Sequence, residues 1–94
     1  MNNFKPNEVV TLKLLGGDEV IGRFVESNEE QLTLSKPRLI GLTQKGITLM
    51  PYVVTLNDES KVNFKNHGVM CVGATITELA TEYISQTSGL FIPQ

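Results

Sequence analysis

The chain has 94 residues, ten acidic and eight basic side chains, a net charge of −2 and one cysteine, which points to a single domain near the lower end of domain sizes. That balance excludes a broad basic surface for coating nucleic acid, although a local basic patch stays compatible with phosphate contacts. One cysteine excludes an intramolecular disulfide, and a chain this short leaves surface that self-association would bury.

The start, Met1-Asn2-Asn3-Phe4-Lys5-Pro6, carries no apolar stretch of a targeting segment, and no run approaches membrane-spanning length. A cytoplasmic protein without membrane contact is the expectation. Residues 1–7 are polar and predict an irregular lead-in. Residues 8–34 then alternate in the manner of three strands with one buried face. Val10, Leu12 and Leu14 share a face of the first (8–15). Val20, Gly22 and Phe24 share a face of the second (19–26), and Leu32 with Leu34 a face of the third. Gly16-Gly17-Asp18 and Ser27-Asn28-Glu29-Glu30 supply the turns between them. Gly22, inside a strand, predicts a bend or a close backbone approach that lets a small sheet curl.

The third strand is predicted to run on through Lys36-Pro37-Arg38 to Leu42. Pro37, without an amide proton, suits an edge, a bulge or a strand end. Gln44-Lys45-Gly46 makes the next turn, and residues 47–55 read as a strand apolar on both faces. Pro51 conflicts with a central position, so this is expected to be an edge strand covered by another chain. Residues 56–61 form a polar turn, Val62-Asn63-Phe64 alternates briefly, and Lys65-Asn66-His67-Gly68 breaks the pattern. A short apolar strand, 69–74, follows; within it Cys71 reads as a small buried hydrophobe rather than a reactive thiol, since no cation flanks it. Thr75-Ile76-Thr77-Glu78 fits a capping box. Ile76, Leu79, Ala80, Tyr83 and Ile84 then form an apolar stripe at helical spacing, predicting one helix over about 76–88. Gly89 with Leu90 resembles its C-cap.

The first half resembles the Sm-like (LSm) family. That family's first motif has an apolar strand, two glycines separated by four residues, and a turn into an apolar strand; here Val10, Leu12 and Leu14 precede Gly17-Asp18-Glu19-Val20-Ile21-Gly22. Phe24 stands at the apolar position after the second glycine, Asn28 where the family usually has aspartate, and Gln31 one place short of its asparagine. The second motif, a cation and glycine in the turn between the fourth and fifth strands, is matched in shape by Val72-Gly73-Ala74-Thr75-Ile76 without the cation. Taking Gly73 as that glycine would leave no fifth strand, so 56–61 is read as the equivalent turn. The layout is most similar to divergent Sm-like proteins of tailed phages, cyanophages included, which share a Pro-Tyr pair in the fourth strand, here Pro51-Tyr52, and a terminal helix.

The resemblance implies a single mostly β domain over 1–94: a strongly bent, five-stranded antiparallel sheet, a small open barrel, with a C-terminal helix. It also implies a homo-oligomeric ring of about five to seven subunits, in which the fourth strand of one subunit pairs with the fifth of the next. Ile47, Leu49, Met50, Tyr52, Val53, Val69 and Cys71 would line that interface. In a phage the ring would act in the host cytoplasm.

Within such rings single-stranded RNA binds near the pore, which makes Asn28 and Gln31 candidates for base contacts. Glu29 and Glu30 between them would repel phosphate, so the same tetrad also reads as a solvated acidic turn. Lys36 and Arg38, with Lys45, are candidates for phosphate contacts, or an ordinary solvated strand edge. Tyr52 and Phe64 are placed to stack on a base or to pack in the core. Lys65-Asn66-His67-Gly68 compares with the Tyr-Lys-His motif of Hfq-type Sm proteins at a different spacing. A lone His67 and a lone Cys71 cannot make a metal site, which needs three or four convergent donors. No cofactor, metal or catalytic constellation is expected. The expected function is therefore an RNA-binding ring; the alternative is a non-catalytic ring scaffold that binds a protein partner without nucleic acid.

Overall fold

A computed structural model describes residues 4–88. β1 (Val9–Leu14), β2 (Glu19–Ser27) and β3 (Gln31–Thr43) form the antiparallel meander that the alternation predicts. Val10, Leu12, Val20, Phe24, Leu32 and Leu34 are buried on one side, joined by Phe64. Each such side chain removed from water contributes about 1.5–3 kcal/mol. The first turn depends on Gly17, whose φ of 104° suits glycine.

β3 is the spine. On one edge it pairs with β2; on the other, its first half (31–35) pairs with β5 (Lys61–Lys65) and its second half (38–43) with β4 (Gly46–Pro51). The change of partner falls at a bulge. The β2–β3 register slips between Ile21 and Arg23, and Lys36 takes a left-handed φ of 48°. Pro37 lies between the two ladders, where no amide proton is called for. Opposite, a methyl group on Gly22 would stand 2.9 Å from Leu34 Cδ1 and 3.3 Å from the Ser35 carbonyl oxygen. Gly22 therefore serves close approach at the bend.

The sheet order is β4-β3-β2-β1-β6, the last strand β6 being Val69–Ala74, with β5 also beside β3. It is thus five positions wide, one position being shared by β4 and β5. The predicted strand over 47–55 stops at Pro51, because proline cannot donate to the ladder, and residues 52–60 form a loop before β5. A single 3-10 turn, Asn66–Gly68, then leads to β6 (Val69–Ala74) on β1. The turn into the last strand is consequently Asn66–Gly68, while the predicted polar turn 56–61 falls in the loop between β4 and β5 and ends on the first residue of β5. The outer edges of β4, β5 and β6 carry no strand partner among the described residues, so the barrel stays open.

The helix α1 (Thr77–Thr87) covers the opposite face of the sheet. Tyr83 is buried there with Val9 and Ile21, and Leu79, Ala80, Ile40 and Leu49 pack around them. Only the middle of the predicted stripe packs; Ile76 and Ile84 are 64% and 41% exposed. The capping box does not form, since Ile76 is the N-cap and no side chain caps it. Thr75 is still held by the sheet: its N–H donates to Val9 O (3.2 Å) and its hydroxyl lies 2.8 Å from that of Thr11. The predicted Gly89 cap lies outside the described residues. Cys71 is exposed, contrary to expectation. It faces Lys13 in the register, while its neighbour Val72 faces the buried Leu12, so alternation turns the thiol away from the core.

Candidate nucleic-acid interface

Two turns distant in sequence meet at one end of the sheet. Asn28 builds the first, its Oδ1 accepting from the backbone N–H of Glu30 (2.8 Å) and Gln31 (3.0 Å). Asn66 opens the second and ties it to the first. Its N–H donates to Glu30 O (2.9 Å), and its side-chain amide donates to Asn28 O (2.9 Å). One position on, Lys65 pairs with Gln31 across the β3–β5 ladder, and Lys65 Nζ donates to Gln31 Oε1 (3.1 Å).

Glu29, Glu30, Lys65, Asn66 and His67 line an open depression over this junction. A groove of about 230 Å³ adjoins it, running from Ser27 and Asn28 past Asn66 to Met70 and Cys71. The side-chain amide nitrogens of Asn28 and Gln31 have no hydrogen-bond acceptor among the described residues. They are donors free for an acceptor on a base edge. Lys65 supplies a cation and His67 a ring, but Glu29 and Glu30 offset the charge. Hydrogen bonding, more than phosphate attraction, is what this surface offers.

The other predicted contacts lie elsewhere. Lys36 and Arg38 sit at the bulge, roughly 16 and 23 Å along β3 from Gln31, and both are engaged. Arg38 grips Asp58 with Nη1–Oδ1 at 2.8 Å and Nη2–Oδ2 at 3.1 Å, and Lys36 Nζ stands 3.7 Å from Asp58 Oδ2 and 3.5 Å from Glu59 Oε2. Hydrogen bonding from Arg38 holds the Asp58 carboxyl below its ordinary value of 3.8, against the opposing effect of burial. Both cations expected to meet phosphate are thus occupied by the chain's own carboxylates. Tyr52 packs against Phe64, ring centroids 5.7 Å apart, and against the first core cluster. Lys45 lies at the far hairpin.

Of the residues assigned to an oligomer interface, Ile47, Met50, Val53 and Cys71 are exposed. Leu49 turns inward to the Tyr83 cluster, and Tyr52 and Val69 to the main core. Lys65, Asn66 and His67 are marked in sequence by the break in alternation before the last strand and by the comparison with a Tyr-Lys-His motif at a different spacing. That break, followed at once by an apolar strand, was the one sign that a turn belonged there.

Among the described residues no cluster of three or more His, Cys, Asp or Glu is placed to hold a metal ion, and no helix is long and apolar enough to cross a membrane. No family model matches the chain, and no curated protein matches it.

Proposed function

We propose that this chain is an Sm-like subunit of a homo-oligomeric ring that binds single-stranded RNA at the junction of the 28–31 and 65–68 turns. The observation that carries the reading is the pair of bonds from Asn66 to Asn28 O and Glu30 O. Through them the turn of the glycine-spaced motif and the turn into the last strand present one set of amide groups. Single-stranded RNA is read through such hydrogen bonds to unstacked bases. The edges of β4, β5 and β6, unpartnered among the described residues, support assembly, since an exposed apolar edge is a template for another chain.

The test is binding of a short mixed-sequence single-stranded RNA, followed by fluorescence anisotropy. Replacing Lys65 and His67 together by alanine is expected to weaken binding about tenfold, a loss of about 1.4 kcal/mol. Unchanged affinity would place the site elsewhere. An oligomer that binds no RNA would favour the second reading, a ring scaffold for a protein partner. The carboxylates of Glu29 and Glu30 in the depression, which would repel phosphate, support that alternative.

A further inference from the structure

The loop over 52–60 leaves the sheet at Pro51 and returns at Lys61, and it is held down in an unusual way. Apart from Tyr52 N–H to Pro37 O, its backbone bonds are its own: Leu56 N–H to Val53 O and Ser60 N–H to Asn57 O, with Asn57 Oδ1 accepting from Glu59 N–H. Beneath it lies a cavity of about 220 Å³ bounded by Pro37, Pro51, Val62 and the loop's own Val53, Val54 and Leu56. The loop is therefore not packed solid against the sheet. What reaches across is charge: Asp58 on Arg38, with Asp58 and Glu59 on Lys36.

We propose that Lys36 and Arg38 form a phosphate-binding site whose resident occupant is the acidic pair Asp58 and Glu59 of this loop. Three carboxylate oxygens converge on a guanidinium fork and an ammonium, a donor set that also suits the oxygens of a phosphate group. The guanidinium is fixed in place independently of the loop. Arg38 also donates to Pro37 O at 3.2 Å, and its side chain is 13% exposed against 50% for Asp58 and 82% for Glu59. Built cations under exposed, loop-borne anions make a site with a displaceable plug. The Lys36–Glu59 pair, its carboxylate 82% exposed, contributes only about 0–1 kcal/mol, so the bidentate Arg38–Asp58 pair is the part that a doubly charged competitor must displace. The ligand class is a phosphate group, borne by a free nucleoside monophosphate or by the backbone of a nucleic-acid strand. The site is separate from the turn junction and requires no ring.

The test compares the wild-type chain with D58N/E59Q by isothermal titration, using a nucleoside monophosphate in one arm and a single-stranded oligonucleotide without terminal phosphate in the other. A charge-matched control, E78Q/E82Q on α1, removes the same two charges from elsewhere. D58N/E59Q is expected to bind at least about tenfold more tightly than either the wild type or the control. Adding Arg38→Gln, or Lys36→Gln should the arginine variant lose its far-UV circular dichroism, should abolish the gain. A gain in the first arm identifies a free nucleotide; a gain in the second alone identifies the strand backbone. No gain in either arm, a gain equal to that of the control, or one that survives loss of the cation would overturn the proposal. Failure here leaves the turn junction untouched, because that site is read with Lys65 and His67.

Discussion

Single residues at the bulge set the shape of the sheet. Gly22 is there for space: with Leu34 Cδ1 2.9 Å from a would-be methyl, Gly22→Ala must push Leu34 or the Ser35 backbone aside. Overpacking of this kind costs about 1–3 kcal/mol. The variant is expected to lower the urea midpoint at unchanged slope. Gly16→Ala, which meets nothing within 4 Å, is the control and should change stability by less than about 0.5 kcal/mol. Equal midpoints for the two variants would show that Gly22 is not the pinch point. The sequence revealed this glycine because a strand interior offers few other reasons for one. It did not reveal Lys36, since only the ladder geometry forces a non-glycine residue into a left-handed conformation there.

Among the elements, α1 acts as a clasp on the same bulge. The Tyr83 hydroxyl lies 2.7 Å from Lys36 O and 3.1 Å from Ser35 O, carbonyls beside the bulge where β3 changes ladder partner. The Arg23 guanidinium stands 5.8 Å from the ring centroid. Tyr83→Phe keeps the packing and removes the donor, so it should cost about 1–3 kcal/mol. Its pH dependence distinguishes this from a simple packing loss. Burial raises the Tyr83 pKa above the ordinary 10.0, because the charged phenolate is poorly solvated there. A raised folded pKa means the contribution is full below 10.0 and is lost as pH climbs through the folded value. The wild type should therefore lose its advantage over the phenylalanine variant only on the alkaline side, in thermal melts taken at increasing pH. A difference constant across that range would sink the assignment. The helix was legible from its stripe. Its start was not, because the hydrogen bonds of Thr75 to β1 outcompete the local cap that Thr75 and Glu78 would otherwise make.

At the scale of the whole molecule, the open sheet ends in β4 and β5 on one side and β6 on the other. Met50 is 45% exposed on β4, and Met70, 63% exposed, sits at the register slip of β6. If these edges join successive subunits, a lysine on one of them should oppose pairing, as charged edge residues do. Met50→Lys is expected to shift the mass seen by native mass spectrometry from a closed oligomer towards the monomer while leaving the far-UV circular dichroism intact. A wild type that is already monomeric would end the ring proposal. The apolar run 47–55 correctly marked an unusual edge strand, but its length was misjudged: residues 52–55 turn away at Pro51 into the loop that reaches Lys36 and Arg38.

The sequence by itself determined the elements: the β1–β3 meander through its two-residue period, the bend through Gly22, and the helix through its stripe around Tyr83. These are local properties, set by a few neighbouring side chains and the backbone they occupy. Only the tertiary structure decided which elements share an edge and which turns meet. Ladder pairing brings Asn66 to Asn28 and Asp58 to Arg38, partners 38 and 20 residues apart. No local pattern records such pairs. The first depends on β5 taking the first half of the β3 edge, and the second on the 52–60 loop folding back over the bulge.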